Sequence, residues 1–253
     1  MEPQATAVAT DVLDAVAEGR YPLPHDVLGA HLNDGVVTIR SVHHLADSVE
    51  VLTQDHTYPA THEHGGVWVC VFAAEDIPDY RLRVTYGDHS QIVDDPYRFL
   101  PTVGEMDTYL ISEGRHERLW EVLGAHLMHF DGVMGPVDGV AFAVWAPNAQ
   151  AVRVVGDFNF WDGTGHAMRT MGASGVWELF IPGVGVGARY KFEIQGPSGN
   201  WFQKADPMAR ATEIPPATAS VVTDVFHTWN DEDWLRARED ANPHSGPMSI
   251  YEV

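Results

Sequence analysis

Thirty-six acidic side chains offer the commonest raw material for catalysis in this chain. Paired carboxylates can serve as acid and base, or as nucleophile and acid. Two pairs stand close in sequence: Asp94 with Asp95, and Asp157 with Asp162. Each lies beside Pro, Gly or Asn, where Asp usually accepts hydrogen bonds inside a turn, so both are expected to be structural. Fourteen histidines raise the question of metal, above all His43, His44, His62 and His64. No Cys/His spacing matches a structural zinc site, so neither a metal nor another cofactor is expected. No Ser/His/Asp constellation, phosphate loop or dinucleotide fingerprint is present.

The more informative stretch is 139–162, GVAFAVWAPNAQAVRVVGDFNFWD. Val140, Phe142 and Val144 alternate with Ala141, Ala143 and Trp145, the period of a strand. Pro147 and Asn148 end it, and a second strand is expected over Val152–Val155. The loop Gly156-Asp157-Phe158-Asn159-Phe160-Trp161-Asp162 then places three aromatic rings in four positions between polar turn formers. Such a loop has something to pack or something to bind, and both are expected here.

The elements that would position this loop follow from a repeat. Val27-Leu28-Gly29-Ala30-His31 recurs as Val122-Leu123-Gly124-Ala125-His126. Gly35-Val36 recurs as Gly139-Val140, and Gly66-Val67-Trp68 as Gly175-Val176-Trp177. Tyr80-Arg81-Leu82 matches Tyr190-Lys191-Phe192, and Asp95-Pro96 matches Asp206-Pro207. The offset grows in steps, each falling between strand-like runs, as loop insertions in the second copy would produce. Strands are expected at 36–40, 48–52, 66–72, 80–86 and 91–94, and again at 141–146, 151–155, 175–181, 189–195 and 201–204. Short strands at this spacing without long helices predict an all-β chain of two tandem immunoglobulin-like sandwiches. Trp68 and Trp177, repeat-related, are expected in the cores.

Val8, Val12, Leu13 and Val16 share one face of a short N-terminal helix that Gly19 stops. A helical turn or two is expected within 113–126, and a helix over 229–239. Ser249–Val253 reads as an opening strand, so a further C-terminal part is expected. The division is then 1–20 for the helix, 21–110 and 111–226 for the sandwiches, and 227–253 for a linker and first strand.

Bulk properties narrow the ligand. The formal charge is −21, which repels nucleic acid and anionic membranes and suits a neutral ligand. Cys70 stands alone, so no intramolecular disulfide can form. The acidic N-terminus lacks the basic start of a signal peptide. No apolar run reaches the length of a membrane span. A cytoplasmic location is expected.

The segments VWAPNAQAVRVVGDFNFWDG, SGVWELFIPGVGVGARYKF and FQKADPMAR resemble the family-48 carbohydrate-binding module, as it stands in bacterial 1,4-α-glucan (glycogen) branching enzymes. The first copy, with PHDVLGAH, YRLRVTYGD and DDPYRFLPTVGEMDTYLISEGRHERLWEVLGAH, resembles the extra N-terminal β-domain of the longer actinobacterial forms. PMSIYEV resembles the entry strand of their catalytic barrel. The stretch Arg40-Ser41-Val42-His43-His44-Leu45 departs from that family by lacking a turn proline. The resemblance implies an α-1,4-glucan or glycogen ligand, met by Trp161, Lys191 and Trp201, with Asn159 and Gln203 available to sugar hydroxyls. It also implies a partner, the catalytic barrel of the parent enzyme. The carboxylates that carry out chain transfer would sit on that barrel, so this region by itself is expected to be inactive. The alternative is a scaffold that braces the barrel and binds sugar negligibly.

Overall fold

The structure, a computed structural model, describes residues 3–224 and 228–252. Residues 1–223 form one compact unit and residues 224–253 a second. The first unit opens with helix α1 (Thr10–Ala17). The first sandwich follows, built of β1 (Gly29–Asn33), β2 (Val36–Val42), β3 (Ser48–Leu52), β4 (Thr57–Pro59), β5 (Thr61–His64), β6 (Val67–Ala73), β7 (Arg81–Tyr86) and β8 (His89–Val93). Its sheets run β1-β2-β6-β5 and β4-β3-β7-β8. Helix α2 (Glu105–Ser112) lies in the connection. The second sandwich contains β9 (Gly124–Phe130), β10 (Val137–Trp145), β11 (Ala151–Gly156), β12 (Arg169–Thr170), β13 (Val176–Pro182), β14 (Arg189–Gln195), β15 (Trp201–Lys204), β16 (Ala211–Thr212) and β17 (Ser220–Val221). Its sheets run β12-β13-β10-β9 and β11-β14-β17-β16, with β15 also paired to β14. The chain is all-β, as its alternating pattern dictates.

The repeat is visible atom by atom. Tyr80 donates its hydroxyl to Asp95 Oδ2 at 2.6 Å, and Tyr190 donates to Asp206 Oδ2 at 2.5 Å. Asp95 Oδ1 accepts from the Tyr97 N–H, and Asp206 Oδ1 from the Met208 N–H. Trp68 donates its indole N–H to the His43 carbonyl, and Trp177 donates to that of Ala146. Both tryptophans are buried, at 8% and 4% exposure. Gly29 and Gly124 sit at φ +80° and +105°. A Cβ at Gly29 would lie 2.3 Å from the Tyr97 carbonyl oxygen, so only glycine permits that crossing.

The strand runs read from the sequence form with shifted ends. β1, β4, β5 and the short β12, β16 and β17 carry too few alternating apolar residues to stand out, and neighbouring strands induce them. The helix between the copies falls at Glu105–Ser112, earlier than the sequence suggests. Glu105 and Asp107 favour its positive N-terminal end, and Gly114 stops it at φ +64°. The expected segment instead forms a 3-10 turn, Leu119–Glu121, and then β9, as its repeat partner does at Pro24–Asp26 and β1.

In the second unit, helix α3 (Glu232–Asp240) forms where a helix is expected. Residues 249–252 take no strand, because no neighbouring strand pairs with their backbone. The division drawn at 226/227 falls on residues outside those described.

The division near residue 110 marks a change of sandwich within one packed body. A single buried cluster joins Leu13 and Val16 of α1, Val27, Leu28, Val42, Val67 and Tyr97 to Val140, Phe142, Leu179 and Phe192. Tyr97 accepts from the Ala167 N–H (3.0 Å) and donates to the Gly165 carbonyl (3.1 Å). The connection also covers the outer side of β10. Phe99 packs with Phe130, Ala141 and Phe180, and Val103 with Leu123, Ala143 and Val176. Proteolytic nicking within the exposed stretch 112–118 is therefore expected to leave the two halves associated on native gel filtration. Halves that separate without denaturant would contradict this shared core.

Candidate functional site

The aromatic loop after β11 is shaped by backbone that few side chains tolerate. Asp157–Asn159 make one 3-10 turn. Phe160 (φ +54°) and Trp161 (φ +63°) then both adopt the left-handed conformation. For bulky residues this costs on the order of 1–3 kcal/mol each, so the surroundings must enforce it. They do so through hydrogen bonds. The Trp161 N–H donates to the Gly156 carbonyl (2.9 Å), and the Asp162 N–H to that of Asn159 (3.0 Å). Asn159 Oδ1 accepts from the Gly156 N–H at 2.8 Å. Its amide nitrogen donates to the Val154 carbonyl (2.9 Å) and to His166 Nδ1 (3.0 Å). Burial lowers the His166 pKa to about 4, so the neutral ring can accept.

The three rings divide. Phe158 turns inward, 6.0 Å from the Phe142 ring and 5.8 Å from His166. Phe160 points to solvent, 94% exposed. Trp161 is half-buried. The Arg189 guanidinium holds the Asp157 carboxyl below its usual range, with help from the Arg189 N–H and the Trp161 side chain. Arg189 meets Asp157 through Nε at 2.8 Å and Nη2 at 3.0 Å. Asp162 accepts from the Thr164 N–H and hydroxyl. Both aspartates thus organise the loop, as turn chemistry predicts.

The sheet beside this loop supplies the rest of the site. Along β14, Tyr190 and Phe192 face the core, so Arg189, Lys191, Glu193 and Gln195 line the outer face. The register sets Lys191 opposite Val155, Glu193 opposite Arg153 and Gln203, and Gln195 opposite Trp201. Trp201 and Lys191 therefore share one face. Trp161 joins its far end through Asp157 and Arg189. Arg189 and Gln195 are six residues apart, roughly 20 Å at strand rise. Lys191 Nζ donates to Thr218 Oγ1 at 2.8 Å. The Arg153 guanidinium stacks 3.8 Å from the centre of the Trp201 ring, and also donates to Glu193 and to the Glu18 carbonyl. Gln203 Nε2 lies 3.5 Å from Glu193 Oε1 on the same face.

Four of the five residues singled out from the sequence, Trp161, Lys191, Trp201 and Gln203, thus border one outer face, the first three half-buried. The fifth, Asn159, turns beneath the loop with its amide committed to Gly156, Val154 and His166, so it positions Trp161 and does not present to a ligand. Phe160 and Arg153 belong to the surface and were not singled out. Phe160 gave a weak signal as the third ring of its loop. Arg153 gave none, because its stacking partner is 48 residues away.

The first sandwich offers no such face. The equivalent of the aromatic loop is a tight turn, with the Thr53 N–H donating to the His56 carbonyl. The next ring, Tyr58, lies flat on Phe72 at 4.2 Å and is spent on packing. Two of its histidines have structural partners: His64 pairs with Asp14 at 2.6 Å, and His62 accepts from the Gly66 N–H. Among the described residues, no three His, Cys, Asp or Glu side chains are placed to hold a metal ion. No helix among them is long and apolar enough to cross a membrane.

Comparison with known proteins matches each sandwich to its own family. Residues 122–209 match carbohydrate-binding module 48 (isoamylase N-terminal domain). Residues 9–97 match the N-terminal domain of alpha-1,4-glucan branching enzyme GlgB. The chain is 53% identical over 253 residues to the 1,4-alpha-glucan branching enzyme GlgB of Thermobifida fusca, covering 99% of this chain and 34% of that one. It is 47% identical over 250 residues to the GlgB of Rhodococcus jostii, covering 98% and 34%. The chain thus spans about a third of the length of these relatives. Among solved structures, the pullulanase type I of Bacillus subtilis complexed with maltose aligns over 80% of this chain and 27% of its own. It does so at 17% identity and a TM-score of 0.35.

Proposed function

The chain corresponds to the N-terminal region of the 1,4-α-glucan branching enzymes, and on that premise we propose that its second sandwich holds an α-1,4-glucan chain. The glucan lies on the outer face of β11, β14 and β15, between Trp161 and Trp201. Sugar rings present apolar C–H faces that stack on flat aromatic surface, at on the order of 1 kcal/mol per contact beyond area burial. Lys191, between the two tryptophans, donates to hydroxyls. The role is to hold and position glycogen for a catalytic barrel supplied by the remainder of the parent enzyme. There, cleavage of an α-1,4 bond and transfer of the released chain to a 6-hydroxyl would make the branch. The setting is the cytoplasm, where glycogen would be built.

The observation that carries this reading is the register that sets Lys191 and Trp201 on one outer face, with Trp161 tied to the same strand through Arg189. The acidic charge of the chain supports it, since a neutral polymer is not repelled. The scaffold reading draws on one contrary observation: Arg153 already covers one face of the Trp201 ring.

Co-sedimentation with glycogen separates the two. The parent chain is expected to pellet, with binding of individual chains weak and strengthened by multivalency on the branched polymer. Trp161→Ala with Trp201→Ala, checked for folding by circular dichroism, is expected to bind at least about ten-fold more weakly. A folded double variant that pellets like the parent moves the site elsewhere. A parent that stays in solution favours the scaffold.

A further inference from the structure

We infer that the N-terminal region, α1 with the first sandwich, is a positioning element for the outer face of the second sandwich: it fixes Trp201 through Arg153, and Trp161 through the segment 163–170. The inference rests on the reading of that face given above, and it gives the first sandwich a role of its own.

The path to Trp201 starts at the end of α1. His64 of β5 pairs with Asp14 and ties the helix to the first sandwich. The chain leaves the helix at Gly19, φ +63°, where a Cβ would lie 2.8 Å from the Thr164 carbonyl oxygen and 3.0 Å from Arg153 Cδ. Only glycine lets the helix end sit this close to the second sandwich. Next to it, the Glu18 carbonyl accepts from Arg153 Nη1 at 3.0 Å, and Glu193 Oε2 accepts from Nη2 at 2.5 Å. Both branches of the guanidinium are thus fixed, and the group closes one face of the Trp201 ring, 3.8 Å from its centre. A sugar is left the other face, in an orientation that Glu18 and Glu193 set.

The path to Trp161 runs through 163–170. This segment lies antiparallel to β11, bridged to it at Arg153 and Ala167. The Tyr97 hydroxyl donates to the Gly165 carbonyl and accepts from the Ala167 N–H. The Thr170 N–H donates to the Pro22 carbonyl at 2.9 Å. Between the two Tyr97 bonds stands His166, whose ring meets the Asn159 amide at 3.0 Å. Asn159 in turn closes the loop that carries Trp161.

Energetics separate positioning from mere assembly. The shared apolar cluster already joins the two halves. The Arg153 side chain is 11% exposed and that of Glu193 16%, so this charge pair has left most of its water. Such a pair adds little stability over apolar side chains of the same volume, whereas its planar fork fixes geometry. The directional bonds converge on the elements that carry the two rings.

The test follows the indole N–H resonances of Trp161 and Trp201 in the ¹⁵N-labelled chain, before and during titration with maltotetraose. In the parent both are expected to shift. Arg153→Met keeps the side-chain length and removes the fork. It is expected to move the Trp201 resonance of the free protein, leave that of Trp161 in place and raise the titration midpoint about five-fold. Gly19→Ala, outside the glucan face, is expected to reproduce this pattern. Should it fail to fold, Arg153→Lys, which keeps the charge without the fork, takes its place. Tyr97→Phe keeps the ring and loses only the hydroxyl. It is expected to move Trp161, spare Trp201 and raise the midpoint by a similar factor. The buried indoles of Trp68 and Trp177 are expected to hold their positions throughout. Folded variants that titrate like the parent overturn the positioning role and leave the outer-face reading standing. Variants that move both rings and the buried indoles together overturn it too, because that is general loosening. Parent rings that ignore maltotetraose overturn the outer-face reading, and this inference falls with it.

Discussion

A Glu178→Ala protein is expected to melt about 10 °C below the parent. Glu178 lies on β13 with no exposed surface. One carboxylate oxygen accepts from Arg169 Nε. The other accepts from the Thr102 hydroxyl (2.7 Å) and the Thr102 N–H (3.2 Å). Arg169, 9% exposed, keeps only the Phe99 carbonyl at 3.2 Å once the carboxylate is gone. The cost of a buried ion pair lies mostly in breaking it one-sidedly, because an uncompensated charge stays behind, at about 3–5 kcal/mol. For a body of this size each kcal/mol moves the midpoint by about 2–4 °C. Calorimetric melts of both proteins check the figure. Glu178→Gln keeps the volume and one acceptor and should fall between them. The same bonds fasten residues 99–102 to the second sandwich, so cleavage near 99–104 should quicken in Glu178→Ala. A loss below about 1 kcal/mol would mean that the pair contributes nothing in solution.

The second large effect is on pH dependence. Asp95 is fully buried, and desolvation pushes its pKa up to about 6, although Tyr80 and the Tyr97 N–H both donate to it. The unfolded carboxyl titrates near 4. Between these values the folded protein binds more protons than the unfolded one, so this group's contribution falls as pH rises. Its cost is absent below about pH 4 and complete above about pH 6, at roughly 3 kcal/mol for a shift of about two pH units. Asn can keep the bond from the Tyr97 N–H and donate to the Tyr80 hydroxyl without carrying charge. Asp95→Asn is therefore expected to gain on the parent by about 2–3 kcal/mol between pH 4 and pH 7 in urea unfolding. Asp206, also raised, and Asp79 and Asp157, lowered, act in both proteins and cancel in the difference. Parallel stability curves would show that Asp95 ionises normally in the fold.

Asp95 and Asp206 also show why the repeat was legible. An aspartate before proline, paired to a tyrosine 15 or 16 residues earlier across one intervening strand, is a local arrangement rebuilt at Tyr80–Asp95 and Tyr190–Asp206. Short-range chemistry of this kind survives loop insertion, so residue identities alone reveal it. The same holds for the core faces of β2, β6, β10 and β13, where period-two alternation is imposed by the backbone itself.

The surface around Trp161 divides differently. That it is aromatic and that Lys191 and Trp201 lie on neighbouring strands can be read from the sequence. Which ring turns in depends on the left-handed backbone at Phe160 and Trp161, and that conformation is enforced by Asn159 together with Gly156, Val154 and His166, which lie outside the three-ring run. Asn159 looked available for hydroxyls because a sequence does not show that its amide is already used. The stacking of Arg153 on Trp201 is likewise a product of chain segments far apart in order.

What the sequence determined by itself was the type and order of the main strands and the doubling of the sandwich. Both follow from local periodicity and repeated residue identities, which need no coordinates. What the tertiary structure decided was that residues 97–123 fold back over β10 and that α1 shares a core with the second sandwich. These depend on apolar surfaces gathered from distant parts of the chain, as in the one buried cluster that holds both Leu13 and Phe192. Burial is set by which faces find each other, and a linear pattern carries no information about its partner's position.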